Sequence, residues 1–217
     1  MYTLNLDLLK IKNVKYFFIL TIFICVITFL IQYLFYSDTI FFNTYSEQLS
    51  VERIQKLSTN QKQYQWFGFL FIPIFLILKI IYNNFFITAG SLLDDKLGDF
   101  KDNYNICLKA EYVFVMMLIV KFGCFVIYKR VNTIFDLTFI PGSLANLFPI
   151  SIKPQWYQYL LQTINIWEVL FCIVGTHMYS IQYNVGKTKA AKLFCIPYLT
   201  GLFIWVLIVT FISLQLT

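Results

Sequence analysis

The chain has 217 residues, 59% of them hydrophobic and only 13% charged, a balance that cannot cover a water-facing surface and excludes an ordinary soluble domain. Its net charge of +6 is modest and its lysines gather at the ends of apolar runs, so nothing in the charge pattern points to nucleic acid. The five cysteines, Cys25, Cys107, Cys124, Cys172 and Cys195, are odd in number and show no C-x-x-C spacing, which reads as small hydrophobes and not as a disulfide or metal set.

Five apolar runs predict an all-α, polytopic membrane protein, one integral-membrane helical domain over residues 1–217 with five transmembrane helices. The first span, residues 16–37, is 22 residues without a charge, about 33 Å of helix against a hydrocarbon core of ~30 Å. Lys10, Lys12 and Lys15 before it resemble the basic region of a secretory signal. The apolar run is too long for one and no small-x-small cleavage site follows, so the span is expected to stay. In residues 44–62, Leu49, Val51, Ile54 and Leu57 recur at roughly helical steps among polar residues, giving either a short amphipathic helix on the outer interface or a plain connector.

The second span, residues 66–89, contains Pro73 and Lys79. A cytoplasmic loop over residues 91–108 follows, with Asp94, Asp95, Asp99 and Asp102 among lysines; it lacks the glycine turn and terminal Glu of a calcium loop and reads as a solvated face. The third span, residues 110–128, contains Lys121. Residues 131–153, largely apolar and punctuated by Pro141, Gly142 and Pro149, are expected to pack on the bundle or dip into the interface. The fourth span covers residues 157–183 around Glu168. The fifth, residues 193–215, has no charge, and Pro197 with Gly201 marks a place where it bends or packs closely. Trp66, Tyr128, Trp156, Tyr157 and Tyr183 near span ends suit the aromatic belts of a bilayer.

Lys10, Lys12, Lys15, Lys96, Lys101, Lys109, Lys187, Lys189 and Lys192 fall on one side, nine in all, against six on the other, Arg53, Lys56, Lys62, Lys129, Arg130 and Lys153. The positive-inside rule then predicts a cytoplasmic N-terminus and an outside C-terminus.

A charge at mid-bilayer costs about 2.5 to 3.5 kcal/mol on insertion scales, so Lys79, Lys121 and Glu168 ask for partners. Asn165, Glu168, Cys172, Gly175 and Tyr179 recur at three- and four-residue steps, a polar and small face expected to look inward and to serve helix packing. The depths suit one intramembrane polar cluster of Lys79, Glu111, Lys121 and Glu168. Glu111 stands ten residues from Lys121, about 15 Å along a helix, too far to pair with it, but within reach of Lys79. Such a cluster is either a structural ion pair that fixes helix register or part of a substrate or proton path. The absence of a discontinuous-helix pair, an inverted repeat or an acidic ladder in the sequence favours the first.

His177 is nine residues from Glu168, on the opposite helix face, and reads as an interfacial packing residue. Gly186-Lys187-Thr188 spells the end of a phosphate-binding loop, but Ile181 stands where its first glycine is required and no strand precedes it, so no ATP binding is expected. No H-E-x-x-H, no G-x-S-x-G and no nucleophile set occurs. The expectation is a chain without catalytic residues, metal or cofactor.

Asn165-Ile166-Trp167-Glu168, then Gly175, then the basic loop Gly186-Lys187-Thr188-Lys189-Ala190 before a last span, resemble the Yip (Ypt-interacting protein) domain membrane family in its bacterial form. The resemblance rests mainly on residues 157–208 and implies a five-helix bundle. Eukaryotic relatives of that fold, which carry a long soluble N-terminal region, bind Rab-type GTPases; GTPase binding is not expected to carry over, and the resemblance assigns no active residue. The leading expectation is a non-enzymatic multi-pass protein of a bacterial inner membrane, a scaffold or partner-binding subunit of a membrane assembly. The alternative is a permease-like transporter component with Lys79, Lys121 and Glu168 along its path. In either case the lipid bilayer is the first partner, and another membrane protein the second.

Overall fold

A computed structural model of the chain describes residues 13–92, 98–128, 131–148 and 155–216. These residues form α-helices joined by short connectors, with two 3-10 turns (Ile134–Thr138 and Leu144–Leu147) and no strand among them. Helix α1 (Asn13–Phe35) is apolar throughout; Leu20, Ile27 and Ile31 turn inward at helical spacing while Phe18, Ile22 and Phe29 stand exposed, as lipid-facing residues would. A short helix, α2 (Asp38–Tyr45), leads to α3 (Val51–Ser91), which runs unbroken for 41 residues, about 60 Å and twice the hydrocarbon thickness.

That length corrects the reading of residues 44–62. From Val51 onward this segment is neither a separate interfacial helix nor a connector but the first third of α3. No glycine or proline interrupts it before Gly68, so the helix has no cause to stop. Its outer part is tied to α2: the Ser58 hydroxyl donates to Asp38, and the Lys62 ammonium lies 2.7 and 2.8 Å from the two Asp38 oxygens.

Helices α4 (Phe100–Ala110) and α5 (Tyr112–Tyr128) meet at Glu111 and together make an apolar span over residues 100–128. Much of the loop expected over residues 91–108 is therefore helical, with Asn103, Ile106, Cys107 and Leu108 buried. Asp99 sits at the N-cap and Asp102 in the first turn of α4, where negative charge suits the helix dipole. Lys109, counted by sequence among the nine charges of one side, is buried with its ammonium 5.4 Å from the Tyr16 ring centre. Asp94, Asp95 and Lys96 lie outside the described residues, as do Lys10, Lys12, Lys129, Arg130 and Lys153 of the charge count.

The expected fourth span is not one helix. It divides into α6 (Gln155–Thr163) and α7 (Ile166–Tyr183), and α7 is joined to α8 (Lys187–Leu216) by a tight turn at Asn184, whose φ of 51° is a left-handed conformation that asparagine tolerates. Among the described residues, four helical stretches are long and apolar enough to cross a membrane: Val14–Phe35, Val51–Ser91, Phe100–Tyr128 and Lys187–Gln215. The fold is all-α and membrane-like, with α7 a shorter helix of 18 residues packed against α4, α5 and α8.

Helix α8 binds the bundle through close contacts with α3 and α7. Gly90 of α3 faces the Pro197 ring, Gly201 faces Phe86, and Gly175 of α7 faces the Phe194 ring, where an added Cβ would come within 2.1 Å of ring carbons. Small residues permit this approach, and in a bilayer it supplies dispersion contacts that lipid cannot match. Gly175→Leu should therefore force α7 and α8 apart and cost about 1 to 3 kcal/mol, read as a lowered midpoint of thermal unfolding in detergent.

Hydrogen bonds from Lys62 and Ser58 hold the Asp38 carboxyl below the usual carboxylate range. A depressed carboxylate stabilises the fold above its unfolded pKa, and the contribution is lost as pH falls through the folded value. Asp38 is largely exposed, so the contribution is small, under about 1 kcal/mol. Asp38→Asn should lower the unfolding midpoint slightly at pH 7, and the difference from the parent chain should close below about pH 4.

Candidate polar site within the bundle

Lys79 and Glu111 come together. The Lys79 ammonium donates to Glu111 Oε2 at 2.8 Å and stands 3.4 Å from the centre of the Phe114 ring. The pair has an ionic and a cation–π component, and the low dielectric around it strengthens both. Glu111 is 2% exposed, its second oxygen Oε1 has no hydrogen-bond partner among the described residues, and its backbone forms the joint between α4 and α5. The Lys79 side chain is 41% exposed, because it lies at the edge of the bundle and not at its centre.

Glu168 lies within electrostatic range of both members of the pair. It accepts a hydrogen bond from the Tyr198 hydroxyl of α8, beside Pro197. One cation thus faces two carboxylates, with the tyrosine as a neutral donor to the second.

Lys121 is not part of this group. Its ammonium donates to the Leu137 carbonyl at 2.8 Å and lies 5.7 Å from the Phe125 ring centre, so it ties α5 to the first 3-10 turn. The expectation of a cluster that includes Lys121 is corrected accordingly: a backbone carbonyl of the adjoining connector, close in sequence, satisfies it instead of a carboxylate on another helix.

The break between α6 and α7 places Glu168 in the first turn of a helix and not at the middle of one. Asn165 is the N-cap: its Oδ1 accepts from the backbone N–H of Trp167 at 2.9 Å and of Glu168 at 3.0 Å, and its Nδ2 donates to the Gln162 and Thr163 carbonyls. This corrects the reading of Asn165 as a member of a packing stripe on a continuous helix. Gly142, with φ of +73°, and Leu144 bond across to Ile166 and Ile164, and the Trp167 indole N–H donates to the Pro141 carbonyl at 2.7 Å. The apolar connector thereby pairs the backbone groups that the break exposes, which hydrocarbon would leave unpaired. Cys172 and Gly175 lie further along α7 against α8: the Cys195 thiol is 3.7 Å from the Cys172 carbonyl, and Phe194 covers Gly175. His177 is exposed on α7.

Two hollows of about 490 Å³ each adjoin these features. One, between α1, α3 and α5, has Lys79, Glu111 and Phe114 in its wall; the other, below the connector, has Asp136, Gln158 and Gln162 beside Phe125 and Phe139. Neither has Glu168 in its lining.

Sequence reasoning missed Tyr198 and the helix break. A tyrosine within an apolar span needs an acceptor for its hydroxyl, which was the available signal for Tyr198. For the break, Asn165-x-x-Glu168 before an apolar run is a helix-start pattern. Comparison of the chain with protein-family models, with curated proteins and with solved structures gives no match.

Replacing the cap tests the break directly. Asn165→Ala should cost about 0.5 to 2 kcal/mol, seen as a lower unfolding midpoint together with a shift in tryptophan emission as Trp167 loses its fixed place.

Proposed function

We propose that this chain is a non-enzymatic multi-pass membrane protein, a scaffold or partner-binding subunit, in which the Lys79–Glu111 pair fixes the register of α3 against α4 and α5. The observation that carries this reading is that each of these charges has a partner within the chain: Lys79 has Glu111 and Phe114, Glu168 has Tyr198, and Lys121 has the Leu137 carbonyl. A group engaged in this way is arranged to hold helices together. A bacterial inner membrane, a cytoplasmic N-terminus and kinship with the Yip domain family belong to the same proposal, and rest on the charge count and on the residues from Asn165 to Ala190.

The discontinuity between α6 and α7 favours a second reading, a transporter component. Broken helices often line solute sites, and Glu168 stands at such a break with Lys79 and Glu111 in range. The path would then run past Lys79, Glu111, Glu168 and Tyr198, without Lys121.

Exchange of the pair separates the two. Under the structural reading Lys79→Met and Glu111→Leu each destabilise the protein, by about 3 to 5 kcal/mol if the pair behaves as a buried one, because a charge is left unpaired. The combined Lys79→Met, Glu111→Leu chain should recover most of that loss and keep its association with co-purifying membrane proteins. A double variant that folds as well as the parent but loses a solute flux in vesicles would establish the transport reading instead.

A further inference from the structure

The hollow between α1, α3 and α5 is a lateral groove with a polar end. Gly68, Phe71, Ile72 and Phe75 line it along α3, and Ile24 of α1 faces them. From Gly68 to Lys79 the lining covers eleven residues, about 16 Å of helix. Phe71 and Phe75 are half exposed or more, so the groove opens sideways, where a bilayer's acyl chains would lie, and not toward water. At its inner end the Lys79 side chain is 41% exposed. An ammonium has three N–H donors, and those of Lys79 meet one oxygen of Glu111 and the Phe114 ring among the described residues. A donor facing hydrocarbon is costly, and an oxygen acceptor brought in by a ligand relieves that cost.

The surrounding charge decides what kind of acceptor. Glu111 already neutralises Lys79, its Oε1 is buried without a partner among the described residues, and Glu168 adds a second carboxylate within range. An incoming carboxylate or phosphate would be repelled by both. A neutral oxygen would not.

We propose that this groove binds a neutral single-chain amphipath from the bilayer, its alkyl chain along Gly68, Phe71 and Phe75 and its hydroxyl or carbonyl oxygen accepting from Lys79. The groove shares Lys79 and Glu111 with the path of the transport reading, but it opens toward lipid and does not include Glu168, and its occupancy is read by binding and not by flux.

Native mass spectrometry of the protein released from micelles tests the site with 1-dodecanol, dodecane and dodecanoate as probes. The expected result is one 1-dodecanol retained per chain, with dodecane and dodecanoate each retained at least ten-fold more weakly. Gly68→Leu should fill the outer end of the groove and lower 1-dodecanol retention at least ten-fold without lowering the unfolding midpoint, since nothing stands within 4 Å of a Cβ added there. Gly123→Leu, at an equally open glycine outside the groove, should bind as the parent does. Equal retention of alcohol and alkane, tighter retention of dodecanoate, no retention of any probe, or a Gly68→Leu chain that binds like the parent would each overturn the proposal. Dimers of the parent that Gly68→Leu dissociates would also overturn it and assign the groove to a second copy of the chain.

Discussion

A lysine side chain in hydrocarbon has no water to solvate it, and the arrangement of α3, α4 and α5 follows from that single constraint. Lys79 is held because Glu111 lies 2.8 Å away, and Glu111 is presented there because α4 ends and α5 begins at its own residue. Truncating either partner leaves the other as an uncompensated ion, whereas replacing both with apolar groups of similar size need not be harmful. On the proposed structural reading the pair gives specificity of register more than net stability, and cohesion is left to packing such as Phe194 on Gly175 and Pro197 on Gly90.

The same constraint accounts for the connector between α5 and α6, which packs on the start of α7. A helix that starts within an apolar environment exposes backbone N–H groups that must find acceptors. Asn165 supplies one, the Gly142 carbonyl accepts from Ile166, and the Pro141 carbonyl takes the Trp167 indole. Residues 131–148 are thus a structural counterpart to the break, and Lys121 anchors the near side of that counterpart at Leu137.

The apolar runs made the helical, membrane-embedded character of the chain legible, because hydropathy over some twenty residues is a local property. The ends of α1 and the core of the last span follow directly from it. Interruptions were harder to read. Glu168 looks central on hydropathy alone, which runs through residues 157–183 without a gap, although Asn165-x-x-Glu168 carries the capping signal within it. In the outer segment the opposite error arose: polar residues 51–65 suggested a boundary, yet polarity does not end a helix when no glycine or proline intervenes. Partners of the charges depended on tertiary contacts. Lys79 with Glu111 was within reach on depth alone, while Lys121 with a backbone carbonyl has no sequence signature.

The length of α3 has a mechanical consequence. One end is clamped outside the apolar zone by Asp38 through Ser58 and Lys62, and the other carries Lys79, Asn83 and Gly90 into the bundle. A rod of this kind conveys torque: a twist applied to the clamp at Asp38 arrives at the Lys79 ammonium as a change of azimuth. Pro73, lacking an N–H for the Phe69 carbonyl, is the compliant point between them. The outer surface and the ionic interior are thereby the two ends of one shaft.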